Sequence, residues 1–460
     1  MKDLLGAARR RIRMTPPVTV AVLVAVTLAL GVGWMREHAD AASQRHEALA
    51  YRLAFHAAEL VDTDRAAART LAIAAFEIHP AEEIRAQLID TLVWGENLNL
   101  RTGSAWQTAL SADGRAALIG DGAAAGVWDL TSRLDPKTGE VTGAFATLKG
   151  GRNGQTAVEL TPDGRNAITA GDEGATVWDL GDPAKPVRSA TLPSQDGVSV
   201  EAVALSADGR RAVIADFHGE LAVWDLSDGA RPKRRSTTRA HNSYAVDLGL
   251  SSDGRVAVTS ADDGTVRSWY LTDPANPVKT ADLSDPTNTP TAVAVSADGR
   301  TVLVGAAAQL EVWRLEGSSP PRRVTRFEGP LAGISSVSLT SDGGTALVTG
   351  ESSSGFLWNL SNPSAPVLLA RLKGDDHDID SSALSADGGV ALTAGAGGST
   401  MWDLRSLAEI VADPEAVACD GRHGAEISRA DWIRFTGQAD WSDYGRADWD
   451  GLPVCRIRNT

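Results

Sequence analysis

"SSDGRVAVTSADDGTVRSWYL", residues 251–271, decides the reading of this chain. Asp253-Gly254 separates two alternating apolar runs, and glycine accepts the positive φ that a tight turn between strands demands. One strand enters that turn and a second leaves it. After a further turn, a third carries Trp269, whose indole offers a large apolar surface for packing one twisted sheet on the next.

The phrase recurs along the chain. Asp-Gly pairs begin at Asp113, Asp163, Asp208, Asp253, Asp298, Asp342 and Asp387, in steps of 50, 45, 45, 45, 44 and 45 residues. Each is followed 15 or 16 positions on by a tryptophan: Trp128, Trp178, Trp224, Trp269, Trp313, Trp358 and Trp402. The residue three before each Asp and the residue five after it are aliphatic throughout, from Leu110 and Leu118 to Leu384 and Leu392. Repeats of this length with hairpin signals read as the blades of a seven-bladed β-propeller. Links such as "DPAKPV", "DPANPV" and "NPSAPV" follow several tryptophans; proline supplies no ladder donor, so they lie before a short fourth strand. The seventh unit lacks that strand. "NLNLRT", residues 97–102, is expected to pair into it and close the ring, removing the exposed edges of an open array.

The charge is uneven. The chain of 460 residues carries −15, yet residues 1–13 (with Lys2, Arg9, Arg10, Arg11 and Arg13 against Asp3) hold +4, which leaves −19 for the rest. So acidic a body repels phosphate backbones, and nucleic acid is not an expected partner. No charge occurs over residues 14–35, which as a helix would extend about 33 Å, enough for a hydrocarbon core of about 30 Å. A single transmembrane helix is expected there, with the basic segment 1–13 cytoplasmic and the remainder extracytoplasmic. The rival is a cleaved signal peptide ending near Ala39-Asp40-Ala41, although the apolar stretch is long for one. The only cysteines, Cys419 and Cys455, are natural disulfide partners in that compartment, or free thiols if the topology is reversed.

Residues 36–95 are rich in Ala, Leu, Glu and Arg, with apolar residues at helical spacing (Leu49, Leu53, Ala57 and Leu60, then Leu71, Ala74, Ala75 and Ile78, then Ile84, Leu88 and Leu92). They read as a helical stalk. Residues 96–405 are the propeller, and 406–460 a C-terminal cap whose Trp432, Trp441 and Trp449, between the cysteines in sequence, are expected to pack onto the propeller; the alternative is an aromatic contact patch.

At "VWDL", with Asp-Gly turns and a period near 45, the chain resembles WD40-repeat propellers over about residues 97–404. That family's blades often share a hydrogen-bonded set of His, Ser or Thr, Asp and Trp. Only the fourth unit approaches it, with His241, Thr259, Asp262 or its neighbour Asp263, and Trp269. The resemblance implies a structural role for His241. The order of basic segment, membrane helix, Ala-rich helices, propeller and Cys-containing tail is similar to the C-terminal half of actinobacterial STAND-type proteins. No GxxxxGK[ST] stretch is present, so that resemblance implies a detached sensor or scaffold and no NTPase.

Nothing in the spacing points to catalysis, a cofactor or a metal. The Ser residues of "GESSSGFLW" lack a nucleophile-elbow context, and the histidines show no paired ligand spacing. "GDDHDID", around His377, reads as a solvated acidic loop. "RPKRRSTTR", residues 231–239, is either a docking patch or a charged edge protecting an outer strand. The expectation is a membrane-anchored, non-catalytic scaffold or sensor that binds protein partners through propeller loops. The alternative is an enzyme or small-ligand sensor using the central channel.

Overall fold

Seven four-stranded antiparallel sheets follow one another around a ring. The computed structural model describes residues 44–61, 63–94, 97–100, 102–131, 146–149, 157–194, 197–229, 231–283, 289–317, 319–374 and 377–418, with residues 426–427, 434 and 452–453. The expected basic segment 1–13, the expected membrane helix 14–35, Cys419, Cys455, Trp432, Trp441 and Trp449 lie outside the described residues. Among the described residues, no helix is long and apolar enough to cross a membrane.

The chain divides into two compact units, one of residues 1–88 with 418–460 and the other Ile89–Val417. In the first, described helices run over residues 44–60 and Arg65–Ile78, and a third, Glu82–Trp94, begins. They form because apolar positions repeat at helical spacing: Leu49, Leu53, Ala57, Leu71, Ala75, Ile84 and Leu88 are all buried. The Asp64 carboxylate accepts the N–H of Ala67 at 3.0 Å and starts the second helix.

In the second unit, six sheets come from consecutive strands, as in blade 4 with Ala245–Leu250, Val256–Ala261, Val266–Tyr270 and Val278–Asp282. Blade 7 takes Ile379–Leu384, Val390–Gly395 and Gly398–Asp403 from one end and Asn97–Asn99 from the other. Asn97 faces Trp402 and Asn99 faces Thr400, so the strand preceding the first repeat closes the ring. After Trp402 the chain turns into two short helices, Leu407–Ala412 and Pro414–Ala418.

The seven Asp-Gly turns share one local construction. A Ser or Thr hydroxyl two residues before each Asp donates to its carboxylate at 2.6–2.8 Å. That carboxylate also accepts the N–H two residues on, and the glycines sit at φ +66 to +75°. The residue between hydroxyl and Asp then ties the blades together. The N–H of Ala112 donates to Pro162, Ala207 to Ser252, Ser252 to Ala297, Ala297 to Ser341, Ser341 to Ala386 and Ala386 to Ala112. The circle lacks one link, where Pro162 has no N–H to offer blade 3.

The third-strand tryptophans fill the seams between blades. Trp224 packs among Ile168 and Leu192 of blade 2 and Ile214 of its own sheet, and Trp358 among Leu303 and Leu310 of blade 5 and Val348 of its own. Their indole N–H groups are satisfied unequally. In blades 2, 4 and 7 a threonine on the second strand accepts it: Thr169 at 3.0 Å, Thr259 at 3.1 Å and Thr393 at 3.0 Å. In blade 5 the buried Glu311 takes the Trp313 N–H at 3.0 Å and pairs with Arg323 at 2.9 Å. In blade 6 the matching position is Val348, and the Trp358 N–H is buried without a partner.

Supplying that acceptor should stabilise the fold. Val348→Thr places at blade 6 the residue that blades 2, 4 and 7 use, and is expected to raise unfolding stability by about 1 kcal/mol. Thr169→Val is expected to lower it by a similar amount, both read by denaturant melts.

Candidate functional site

The innermost strands line a central cavity of about 330 Å³. At the position just before the aliphatic residue that precedes each Asp-Gly turn, the wall is Ala109, Ala204, Gly249, Ala294 and Ala383 in five blades; Glu159 and Ser338 are the exceptions. The charged side chains lining it are Glu159, Glu201, Asp247 and Asp380, all acidic. Burial pushes the Glu159 carboxyl up to about 7 and that of Asp247 up to about 6. Asp247 also bridges blades, accepting the N–H of Val293 on the inner strand of blade 5 at 2.8 Å. Ser336 accepts from Ser382, and Ser381 from Thr108, across two other seams. Among the described residues, no three His, Cys, Asp or Glu side chains converge as a metal set.

No histidine among the described residues lines this channel. His241 lies 1% exposed in the loop entering blade 4, where Nε2 meets the Thr259 hydroxyl at 2.6 Å and Nδ1 meets the Thr265 hydroxyl at 2.9 Å. Trp269 donates to Thr259, and Thr265 donates to Asp263 at 2.5 Å. A continuous relay results if Thr259 donates to Nε2 and the proton on Nδ1 is given to Thr265. That requires the neutral ring, in keeping with burial pushing His241 down to about 4.

The carboxylate beside His241 is Asp263, 3.4 Å from Nδ1, and not Asp262. Both residues belong to the turn that follows Ala261; Asp262 is exposed there and its N–H donates to the Tyr244 carbonyl at 3.2 Å. The relay's other bonds fix the loop backbone: Asp263 accepts the N–H of Asn242 at 2.9 Å, Arg239 donates to the His241 carbonyl at 2.8 Å, and Arg267 to that of Ala240.

This loop presents Tyr244, whose ring stacks on Phe217 with centroids 5.5 Å apart and planes 8° from parallel. Phe217 is 54% exposed and Tyr244 37%. Phe217 occupies the turn between the second and third strands of blade 3, pinned by the Asp216 carboxylate accepting from His218 and Glu220 at 2.9 Å. Gly219 in that turn has φ +76°, and a Cβ there would lie 2.3 Å from the Ser243 carbonyl oxygen, so the two loops interlock. Trp106, 45% exposed, immediately precedes the first strand of blade 1, as Tyr244 precedes that of blade 4. All three lie on the face carrying second-to-third-strand turns and blade-to-blade loops, opposite the Asp-Gly turns. Sequence reasoning missed Phe217 and Tyr244. The available signal was an aromatic residue in a turn, "DFHGE", in a chain with only seven Phe and four Tyr.

Residues 232–270 match the WD domain, G-beta repeat. The matched repeat contains the His241 relay in full, and it ends just after Trp269. No curated protein matches the chain. The basic stretch 231–239 forms, from Lys233 to Arg239, the outer strand of blade 3 at the start of that WD repeat; Arg234 lies over the Trp224 ring at 5.9 Å.

Two outcomes follow from this geometry. His241→Ala should cost about 2 kcal/mol and speed amide exchange at Asn242 and Tyr244, because it strands two hydroxyls and frees the loop. Stability should also peak near about pH 5. Glu159 and Asp247 titrate above the ordinary carboxylate range, so their stabilising contribution appears as pH falls through about 7 and 6 and is lost as pH rises again. Asp342 and Asp387 are held low by hydrogen bonds, chiefly from the Thr340 hydroxyl and the Gly389 N–H, and their contribution vanishes below about pH 4. Thermal melts across pH should show a gain on the order of 2 kcal/mol between about pH 8 and pH 5.

Proposed function

We propose that the chain is a membrane-anchored, non-catalytic scaffold or sensor whose propeller, displayed outside the membrane, binds protein partners through the loop face at blades 3 and 4. The observation that carries this is the exposed, stacked Phe217–Tyr244 pair. Large aromatic rings held rigid in solvent add nothing to the propeller's own core, whereas pre-ordered aromatic anchors favour binding because little freedom is lost on contact. A WD repeat supports the same reading, since propellers bearing it generally act as platforms for other proteins.

The anchor rests on the sequence alone: 22 uncharged residues follow a cluster of five basic ones, which argues for a single span with the basic end cytoplasmic. The layout similar to the anchor-to-propeller half of STAND-type proteins supports a sensing role. A small-ligand role for the channel is the second reading, favoured by the convergence of Glu159, Glu201, Asp247 and Asp380 on its lining.

The test is cross-linking in native cells, followed by purification from membranes and identification of attached proteins. Proteins captured by the parent chain are expected to be lost with Phe217→Ser and Tyr244→Ser together, and retained with Val187→Ser on an outer strand. Equal capture by all three overturns the assignment of this face. A retained small molecule lost on Glu159→Gln turns attention to the channel.

A further inference from the structure

The Phe217–Tyr244 face is chemically selective, and the selection concerns charge. Two carboxylates neighbour Tyr244. Asp262 donates its N–H to the Tyr244 carbonyl at 3.2 Å, and Glu201 stands at the start of the inner strand of blade 3; the two carboxylates, Asp262 foremost, raise the Tyr244 hydroxyl above its ordinary range. Glu201 also lines the central cavity, whose other charged groups are Glu159, Asp247 and Asp380. Acidic charge thus runs from the aromatic pair into the mouth of the channel. The arginines nearest the loop are engaged beneath it, Arg239 with the His241 carbonyl and Arg267 with the Ala240 carbonyl and Asp282.

Basic residues are displaced outward. Lys233, Arg234, Arg235 and Arg239 lie on the outer strand of blade 3, and Arg322, Arg323 and Arg326 on that of blade 5. There the chain already pairs guanidinium groups with aromatic rings: Arg234 lies over Trp224 and Arg323 over Trp313, at 5.9 and 5.8 Å. The loop face carries rings and carboxylates, and among the described residues no guanidinium lies over the Phe217 or Tyr244 ring.

We propose that this face takes an arginine- or lysine-bearing segment of a partner protein, with a cationic side chain over the Tyr244 or Phe217 ring and its charge met by Glu201 and Asp262. The inference rests on the loop-face reading above and adds the chemistry of the occupant. A guanidinium suits the site better than an ammonium, since its plane stacks on a ring while its edge meets a carboxylate. The net charge of −19 outside residues 1–13 draws such a segment toward the protein before contact. Because Asp216, Gly219 and the His241 relay already fix both loops, the segment meets a surface that does not have to be ordered.

The test uses the full-length chain in detergent and fluorescent peptides of equal length carrying arginine, lysine, citrulline or glutamate in one neutral background, with binding read by anisotropy. The arginine peptide is expected to bind about tenfold more tightly than the citrulline peptide, with glutamate weakest. Phe217→Ala with Tyr244→Ala should abolish that preference. Glu201→Gln with Asp262→Asn should weaken arginine binding about fivefold and flatten its salt dependence, while Asp182→Asn on the opposite face leaves both unchanged. Equal binding of arginine and citrulline peptides overturns the proposal. If partner capture still depends on Phe217 and Tyr244 in that case, the loop-face reading survives and only the charge selection falls. Self-association without peptide, abolished by the same substitutions, overturns it in favour of the Lys233–Arg239 strand of a second copy.

Discussion

One peptide N–H per blade, donated from an Asp-Gly turn to the carbonyl of the next blade's turn, is the contact from which the rest of the ring takes its spacing. A side-chain contact between sheets tolerates small shifts; a backbone bond of 2.8–3.0 Å does not. The Ser or Thr hydroxyl and the Asp carboxylate shape each turn so that the intervening residue points its N–H along the ring. Every sheet returns its first turn to the same circle, whether the step from the preceding turn is 44 or 45 residues, as in five cases, or 50, as from Asp113 to Asp163. The one missing link is at Pro162, in the blade whose inner strand also breaks the small-residue rule with Glu159. There the wall depends on side-chain packing in place of the backbone bond.

Outside that circle the blades diverge, and the tryptophans show how much. One large indole per seam is a fixed requirement of packing, but the fate of its N–H is not. Threonine accepts it in three blades and a buried glutamate in one, and in blade 6 nothing does. Against this drift, the full relay in blade 4 stands out for what it supports. Its Asp263 takes the Asn242 N–H, and with Arg267 and Arg239 bonded to the Ala240 and His241 carbonyls this fixes the loop that carries Tyr244. A relay kept only for the fold would have equal use in every blade. Lying under the loop that carries Tyr244, it is better explained by the need to hold that loop still.

The ring was legible in the sequence because its constraints are periodic. The Asp-Gly pairs located the turns, the tryptophans the third strands, and the missing fourth strand after Trp402 pointed back to "NLNLRT". The candidate site was not legible, because nothing in it repeats. Phe217 and Tyr244 belong to different blades and meet only because one occupies a turn and the other a loop on the same face. Asp262 and Asp263 are chemically identical in the sequence; only the course of the turn after Ala261 brings one to His241 and the other to Tyr244. The link that Ala112 and its equivalents supply was hidden for another reason: a backbone donor leaves no mark in residue identity except where proline removes it.

Charge gives the last connection between fold and site. A propeller needs small residues toward its axis, where strands crowd, and accepts long ones at its rim, where sheets splay. Arginine and lysine on outer strands therefore cover tryptophans and solvate edges at little cost. Carboxylates at the hub have no such structural use: burial opposes their charge at Glu159 and Asp247, and only Asp247 offsets this with a bond across a seam. Splitting the charge this way leaves a cation-seeking centre within a basic rim. An incoming acidic surface is attracted to the edges, and an incoming basic segment to the loop face, so the protein's electrostatics orient a partner before any ring is touched.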